Sequence, residues 1–349
     1  MDRSDDLLDQ VRAAVETRTP LLIRGGGSKA FYGRGVEAQP LEVNGHSGVL
    51  SYEPSELVIR ARAGTPLAEI EALLAERRQM LPFEPPHFGA GATFGGMIAA
   101  GLSGPRRPWG GAVRDAVLGV TLINGRGELL RFGGQVMKNV AGYDVSRLLA
   151  GSLGTLGVIV EASIKVLPHP EQEITLIRHC DADDALARLA GWGRRPLPIS
   201  ASLYDNGHLL LRLSGTRSGV LAARATLGGD ETADDVWADL REQRLDFFRG
   251  ASPLWRLSLP PATPMPDLPG EQIVEWGGAL RWLRSEAPAE TIFAAARAVG
   301  GHATRFRHHD GSREVFAPLA PALLALHRRV KAAFDPFGLF NPGRLYAEL

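Results

Sequence analysis

Apolar residues recur at helical and strand spacings along the first part of the chain. Residues 7–16 carry leucine and valine at intervals of three and four and predict a helix, and residues 21–23 form a short apolar run that predicts a strand. Residues 57–62 alternate as a strand, and residues 67–78 predict a helix with Pro66 near its N-terminus. The pattern is therefore mixed, with both element types in short pieces.

Two further apolar runs, at residues 117–123 and 129–132, flank the segment Asn124-Gly125-Arg126-Gly127. An asparagine–glycine pair between two strands is a hairpin signal, because both residues tolerate a positive φ. Together with the preceding elements, this hairpin indicates that residues 1–168 form one α+β unit.

The composition changes after residue 172, where glycine clusters become rarer and strands and helices alternate. The spacing predicts strands at 174–177, 199–204, 208–213, 254–259, 272–276, 279–283 and 302–306, and helices at 185–192, 220–227 and 289–299. These elements predict a second unit over residues 172–310, an antiparallel sheet with helices on one face. An amphipathic helix from Pro318 to about Asp335 predicts a third segment, residues 311–349, and the linker is placed at residues 169–171.

Charge and cysteine content narrow the function classes. The 349 residues contain 39 Lys and Arg and 39 Asp and Glu, so no overall field attracts nucleic acid or an anionic membrane. The single cysteine, Cys180, excludes an intramolecular disulfide and a cysteine-held iron–sulfur cluster within this chain, and no metal site is predicted. The acidic N-terminus is unlike a signal peptide, and no apolar run approaches about 18 residues. We expect a cytoplasmic protein that meets the inner membrane only through partners.

Three glycine-rich segments carry the candidate chemistry: residues 24–29 (RGGGSK), residues 91–119, and residues 151–158. Glycine permits a positive φ and lets a ligand approach the main chain. A Rossmann fingerprint beginning at Gly89 fails, because Phe94 stands where its third glycine belongs. A Walker A loop fails as well, since no glycine-rich run ends in Gly-Lys-Ser/Thr.

In order and spacing, the three segments resemble the FAD-binding domain of the vanillyl-alcohol-oxidase superfamily, also called the PCMH type. The resemblance implies a PCMH-type FAD-binding domain at residues 1–168, a smaller cap domain at 172–310, and a C-terminal segment at 311–349 that packs back on the FAD domain. The first segment resembles the family's pyrophosphate loop. Its backbone N–H groups can form an anion nest, and the side chains of Arg24, Ser28 and Lys29 can add charge and a hydroxyl donor.

The resemblance assigns cofactor roles to residues in all three segments. In the first they are Arg24, Gly25, Gly26, Gly27, Ser28 and Lys29; in the second, with the histidine before it, His87, Gly91, Thr93, Gly95, Gly96, Ser103, Gly104 and Arg107; in the third, Gly151, Ser152, Gly154, Gly157 and Val158. Asn341 resembles the asparagine of the family's C-terminal Asn-Pro-Gly. His87 can equally be a packing or solvent-facing residue, and Asn341 can equally be a turn-former.

The attachment of FAD is predicted to be noncovalent. Many members of the superfamily attach FAD through a histidine or cysteine in the first or second segment. Ser28 stands here where the loop histidine often lies, and residues 91–115 contain neither residue type.

Several segments outside the FAD motifs resemble the GlcE subunit family of bacterial glycolate oxidases, among them FGGQVMKNVAGYDVSRLL, DLPGEQIVEWGGALRWL and FNPGRLYAEL. That resemblance implies a flavoprotein subunit that works with a larger FAD-binding catalytic subunit and an iron–sulfur subunit. Such a complex oxidises the small 2-hydroxy acid glycolate to glyoxylate and passes electrons to the respiratory chain.

One feature departs from related 2-hydroxy-acid dehydrogenases: the His-x-Gly-Asp-Gly-Asn-x-x-His type segment has no match. The nearest catalytic candidates are Arg305, Arg307, His308 and His309, with Arg281 and Arg284 as candidate carboxylate clamps, and a solvated basic strand end is the alternative. The catalytic residues are left unassigned. A stand-alone FAD-linked dehydrogenase and a non-catalytic electron-transfer or assembly subunit both stay open.

Overall fold

The computed structural model of the protein describes residues 1–134, 144–233, 235–308 and 315–349. The helices are α1 (Ser4–Thr17), α2 (Leu67–Glu76), α3 (Phe94–Ala100), α4 (Arg107–Gly110), α5 (Val113–Ala116), α6 (Val145–Leu148), α7 (Ala182–Trp192), α8 (Arg217–Leu227), α9 (Val236–Arg241), α10 (Ala289–Ala298) and α11 (Pro321–Phe334), with 3-10 turns at Asp246–Arg249 and Trp276–Gly278. Across these ranges, no helix is both long and apolar enough to cross a membrane.

The strands are β1 (Leu21–Arg24), β2 (Gln39–Glu42), β3 (Val49–Glu53), β4 (Val58–Arg62), β5 (Gln79–Met80), β6 (Val117–Ile123), β7 (Leu129–Gly133), β8 (Val158–Lys165), β9 (Leu167–Pro168), β10 (Gln172–His179), β11 (Ile199–Asp205), β12 (His208–Gly215), β13 (Asp230–Thr232), β14 (Leu254–Ser258), β15 (Glu271–Glu275), β16 (Leu280–Arg284) and β17 (His302–Arg307). The hairpin predicted around residues 124–127 is present as β6 and β7.

The first unit is built on a five-stranded antiparallel sheet in the order β3-β4-β8-β6-β7. The apolar positions of α1, α2 and α3 share one core with this sheet, and Leu7, Ile70 and Ile98 are each fully buried there. Beside it, β1 and β2 pair in parallel, and β1 runs directly into the first glycine segment. The end of this partly buried strand therefore holds that segment in place.

The second unit is an eight-stranded antiparallel sheet in the order β13-β10-β12-β11-β15-β16-β14-β17. Alternating side chains give it two apolar faces. One face packs against α7 and α8 around Val220 and against α10 around Ile292. The opposite face, with Trp282 and Phe306, packs against Phe31, Phe88 and other residues of the first unit. The predicted antiparallel sheet with helices on one face is confirmed, and its other face is covered by the first unit.

A buried ion network joins the two units at their junction. Glu84 of the first unit accepts hydrogen bonds from Arg212 of β12 at 2.8 and 2.9 Å and from Arg106 at 3.1 Å. Arg106 also bonds Glu173 of β10 at 2.6 Å, and electrostatic attraction to Arg212 helps to hold the pKa of Glu173 low against the opposing effect of burial. Because removing one partner would leave a buried charge uncompensated, this network fixes how the cap unit sits on the first unit.

The C-terminal segment returns to the first unit, as predicted. The amide of Leu21 donates to the carbonyl of Leu339 at 2.7 Å, and the amide of Asn341 donates to the carbonyl of Leu21 at 2.9 Å. Helix α11 leads into this segment, and its apolar residues Val330 and Phe334 pack against the core of the first unit. Lys331 is its one buried residue, whereas Leu323 and Leu326 are 43% and 45% exposed.

Candidate functional site

The three glycine segments meet around one cavity of about 410 Å³. It lies between the end of β1, the start of α3, the loop before β8 and the C-terminal segment. Twelve of the residues predicted from the sequence line it: Arg24, Gly25, Gly26, Gly27, Ser28, Lys29, Thr93, Gly95, Gly96, Gly154, Gly157 and Asn341. Segments that are more than 300 residues apart in the chain thus form a common wall.

The first segment supplies unpaired backbone donors to this cavity. Within the described ranges, none of the amides from Gly25 to Lys29 donates a hydrogen bond to another residue. Gly27 has a φ of +72°, which reverses the chain direction so that successive N–H groups can point to one side. Such a run of free amides is an anion-binding nest.

Lys29 adds a positive charge beside these amides. Its Nζ lies 3.1 Å from the carbonyl oxygen of His87 and 3.3 Å from Ser28 Oγ. Burial lowers the pKa of Lys29 to about 8, although the carboxylate of Glu242 acts in the opposite direction. An anionic group in the cavity would compensate this desolvated ammonium. The amides and Lys29 therefore fit a pyrophosphate.

The glycines of the first segment are required mainly by its contact with the second. A Cβ on Gly26 would lie 1.4 Å from the backbone oxygen of Gly91, and a Cβ on Gly25 would lie 2.3 Å from Thr93 Oγ1. The sequence suggested that these glycines make room for a ligand. The structure shows that they let two backbone segments pack closely enough to form the cavity wall.

The second segment places the start of α3 at the cavity. Thr93 caps this helix, since its Oγ1 accepts a hydrogen bond from the Gly96 amide at 3.2 Å. The amides of Phe94 and Gly95 bond to the carbonyls of Thr65 and Ala63. The helix amides are therefore occupied within the protein, and the Thr93 hydroxyl is the donor that this segment can offer a ligand.

Asn341 joins the third segment to the first. Its Oδ1 accepts a hydrogen bond from the Ile23 amide at 2.7 Å, and its Nδ2 donates to the Leu153 carbonyl at 2.6 Å. Gly154 lies directly against it, because a Cβ there would come within 2.6 Å of Asn341 Nδ2. Asn341 lines the cavity, and its amide atoms hold the walls together.

Other predicted residues lie near the cavity without lining it. Gly91 packs on Gly26, and the ring of His87 lies 2.9 Å from Glu71. The third-segment residues Gly151, Ser152 and Val158 also lie behind the wall. The Gly151 amide bonds to Ile98, while Ser152 and Val158 are buried.

Ser103, Gly104 and Arg107 lie further away, because the chain after α3 turns toward the cap unit. The Gly104 carbonyl accepts a hydrogen bond from Trp276 Nε1 at 3.0 Å, and the Arg107 guanidinium lies 4.6 Å from the centroid of that indole. These three residues are at the junction of the two units instead of at the cavity.

The remaining lining residues were not predicted. Most are apolar: Leu22, Ile23, Ala30, Val36, Val43, Ala63, Ala99, Ala100, Leu153 and Ile159. Arg344 also lines the cavity, and its guanidinium is held by the carbonyls of Arg34 and Ala30 at 3.0 and 2.9 Å. The one available signal for Arg344 was its position in the same terminal segment as Asn341. Apolar walls next to an anion nest suit flat aromatic rings joined to a pyrophosphate, so the residues present fit FAD.

Two of the arginine candidates of the cap unit, Arg284 and Arg281, donate to backbone carbonyls. The Arg284 guanidinium donates to the carbonyls of Phe247, Phe248, Gly250 and Ser252, which leaves little capacity to clamp a substrate carboxylate. Arg281 is fully buried and donates to the Thr263 carbonyl at 2.8 Å.

At the end of β17, Arg307 donates to Gln243 Oε1 at 2.6 Å, and Arg305 lies over the Trp255 ring. His308 has a φ of +60°. His309, together with residues 135–143 of the segment FGGQVMKNVAGYDVSRLL, lies outside the described residues.

Comparison with known proteins agrees with this geometry. Residues 2–133 match the family described as "FAD binding domain", and residues 290–345 match "FAD linked oxidases, C-terminal domain". A solved structure of alkyldihydroxyacetonephosphate synthase superposes with a TM-score of 0.68 at 16% identity, covering 99% of this chain and 76% of that one. Fold and site together define an FAD-linked oxidoreductase of the PCMH type, with FAD as its cofactor.

The glycolate oxidase subunit GlcE of Escherichia coli K12 is 55% identical over 348 residues, which span 100% of this chain and 99% of that protein. The chain belongs to the GlcE family. The glycolate oxidase subunit GlcD of Bacillus subtilis 168 is 29% identical over 212 residues, 60% of this chain and 45% of GlcD. Both relatives are named as subunits, which denotes a multi-subunit enzyme.

Proposed function

We propose that this chain is the FAD-binding subunit of a complex that oxidises glycolate to glyoxylate, together with a larger FAD-binding subunit and an iron–sulfur subunit. The observation that carries the proposal is the cavity, in which an anion nest, Lys29 and apolar walls meet in a chain of the GlcE family. FAD supplies the two-electron oxidation chemistry when it is bound. The chain's own residues bind and orient it and separate it from solvent.

The proposed site binds FAD without a covalent bond. Amides 25–29, the Thr93 hydroxyl and Lys29 would hold the pyrophosphate, and the apolar residues would contact the rings. Histidine and cysteine, the residue types that commonly form a covalent link, are absent from the described residues that line the cavity. This lining supports noncovalent attachment.

Two features support partner subunits. The single cysteine cannot hold an iron–sulfur cluster, so electrons would have to leave to another chain. Helix α11 also exposes Leu323 and Leu326, and exposed apolar patches of this kind often mark protein interfaces. Contact with the inner membrane would then be made through the partners, in a complex at its cytoplasmic side.

The experiment compares the isolated chain with the chain co-expressed with its two partner subunits, using glycolate and an artificial dye under anaerobic conditions. We expect the assembled complex to reduce the dye and the isolated chain to do so slowly, because the chain has no match to the histidine-containing segment of related 2-hydroxy-acid dehydrogenases. Leu326→Asp should lower the yield of the complex. The matched control is Leu221→Asp, since Leu221 of α8 is also 45% exposed.

Dye reduction by the isolated chain at the rate of the complex would contradict the need for partners. Equal yields of complex for the two leucine variants would remove α11 as the interface. A fully assembled complex that leaves glycolate unoxidised would refute the proposed substrate.

A further inference from the structure

A second, smaller cavity of about 30 Å³ lies where the two units meet. The walls come from the first unit, with Phe88 and Ser103, and from the cap unit, with Gln243, Arg256 and Glu275. Phe88 also lies 5.9 Å from Nζ of Lys29, which lines the FAD cavity, so the two cavities are neighbours. At roughly 10–15 Å³ per water, its volume holds two or three heavy atoms of a ligand.

The walls of this cavity carry hydrogen-bond donors without acceptors. The Nε2 atom of Gln243 is buried and has no partner among the described residues, while its Oε1 accepts from Arg307. The Arg256 guanidinium lies 4.9 Å from the centroid of the Trp276 ring and, within the same described part of the chain, forms no hydrogen bond or ion pair. A buried amide donor and a guanidinium that both lack acceptors are the groups that a carboxylate would satisfy.

The carboxyl group of Glu275 is an electrostatic neighbour of Arg256 and acts to raise the pKa of this guanidinium against the larger effect of burial. Arg107 shares the Trp276 ring with Arg256; burial lowers the pKa of both guanidinium groups, and Arg256 lowers that of Arg107 further. Glu275 is the nearest carboxyl group, and it is 4% exposed and accepts a hydrogen bond from Trp282 Nε1. Burial raises the pKa of Glu275 to about 7, so near neutral pH a large fraction of it is uncharged and can donate a proton to a ligand oxygen.

Backbone strain is concentrated around the same cavity. Phe88, Gln243 and Trp276 have φ values of +52°, +56° and +56°. Large side chains rarely adopt positive φ, and such residues persist only where their surroundings hold them in place. Phe88 and Gln243 line the cavity and Trp276 follows Glu275 directly, so the strained positions surround the unpaired donors.

We propose that the junction cavity binds the carboxylate of a small aliphatic acid, with Arg256 and Gln243 as the donors to it. The inference rests on the proposed function, because glycolate is such an acid and the FAD cavity lies beyond Phe88. The volume matches the three heavy atoms of the carboxylate group, and the rest of the acid would lie outside the cavity. Glu275 lines the same space, and in its uncharged form it can donate a proton to an oxygen of the bound carboxylate.

The test measures binding of oxalate, a two-carbon acid that cannot undergo the oxidation, to the purified FAD-loaded chain by calorimetry. We expect binding at one site, and Arg256→Met and Gln243→Leu should each weaken it, the former by about tenfold or more. Arg256→Lys should retain part of the affinity. The matched control is Arg244→Met: Arg244 follows Gln243 in the chain, but its side chain is 57% exposed and pairs with Asp239 at the surface.

Melting temperature and flavin content are recorded for every variant, so that misfolding is distinguished from loss of the ligand. No oxalate binding by the wild-type chain, or equal affinity in Arg256→Met, Gln243→Leu and Arg244→Met, would overturn the site. If oxalate binds as expected while the assembled complex fails to oxidise glycolate, the site stands and the proposed function fails. If the complex oxidises glycolate and Arg256→Met leaves its KM unchanged, the proposed function stands and the site fails.

Discussion

Lys29 is the residue whose electrostatic surroundings would change most when an anion enters the FAD cavity. Its pKa of about 8 reflects removal from water, and a bound pyrophosphate would raise that pKa. In the flavin-free chain the low pKa of Lys29 makes the folding stability depend on pH. Because the folded pKa lies below the value of 10.5 for a free lysine, the contribution of this group to folding stability increases as the pH rises from 8 toward 10.5.

The affinity for FAD should therefore fall as the pH rises above 8. Binding then requires uptake of a proton by Lys29, so the Kd should increase by up to about tenfold per pH unit. Lys29→Met should bind FAD more weakly at pH 7 and lose this dependence, whereas Lys165→Met should keep it. Flavin fluorescence titrations at pH 7, 8, 9 and 9.5 measure both effects. An equally steep profile in Lys29→Met would assign the proton to another group.

Residue roles within the motifs were harder to predict than the motifs themselves. The glycine segments indicated many of the residues that line the cavity. Gly27 could be predicted because a chain reversal is a local requirement for a positive φ. Position 26 requires glycine because the backbone of Gly91, 65 positions further along the chain, packs against it. Only the folded structure reveals that contact. Ser103, Gly104 and Arg107 were placed at the cavity by their nearness in sequence, yet the turn after α3 carries them to the cap unit.

At the scale of elements, helix α11 is attached through a buried ion pair. Lys331 Nζ lies 2.7 Å from Asp335 Oδ2, 2.7 Å from the Thr155 carbonyl and 2.8 Å from the Phe340 carbonyl. Asp335 in turn accepts the amides of Leu339 and Phe340. The pair thus connects the helix to the third glycine segment, through Thr155, and to Leu339 and Phe340 of the C-terminal segment.

Lys331→Met should destabilise the protein by about 3–5 kcal/mol, because it leaves the Asp335 carboxylate buried without its counter-ion. It should also weaken FAD binding. Lys331 binds the carbonyl of Phe340, and the next residue, Asn341, holds the walls of the FAD cavity together. Arg329→Met on the exposed face of the same helix is the control. Urea unfolding followed by tryptophan fluorescence gives the stability, and a loss no larger than that of the control would contradict this anchoring role.

Periodicity predicted most helices and strands, but in α11 it did not show which of the apolar residues meet the core. A helical pattern shows which residues share a face, and it does not show which face meets the core. In this helix Lys331 is buried and satisfies backbone carbonyls, Val330 and Phe334 pack against the core, and Leu323 and Leu326 are exposed. The sequence pattern alone could not show that Lys331 of α11 is buried while Leu323 and Leu326 are exposed.

At the scale of the whole molecule, the two-unit architecture followed from the change in composition after residue 172. The junction between the units could not be predicted in the same way. Its main contacts join Glu84 to Arg212, which are 128 positions apart, and Gly104 to Trp276, which are 172 apart. Such pairs leave no spacing signal, and the resemblance to FAD-binding domains does not cover them.

The central claim is that the three glycine segments hold one noncovalent FAD. The most direct measurement is to purify the chain, precipitate it with acid and quantify the flavin in supernatant and pellet. We predict about one FAD per chain, all of it in the supernatant and identified as FAD instead of FMN. Flavin retained in the pellet would contradict noncovalent binding, and a colourless, folded chain that takes up no added FAD would contradict the site itself.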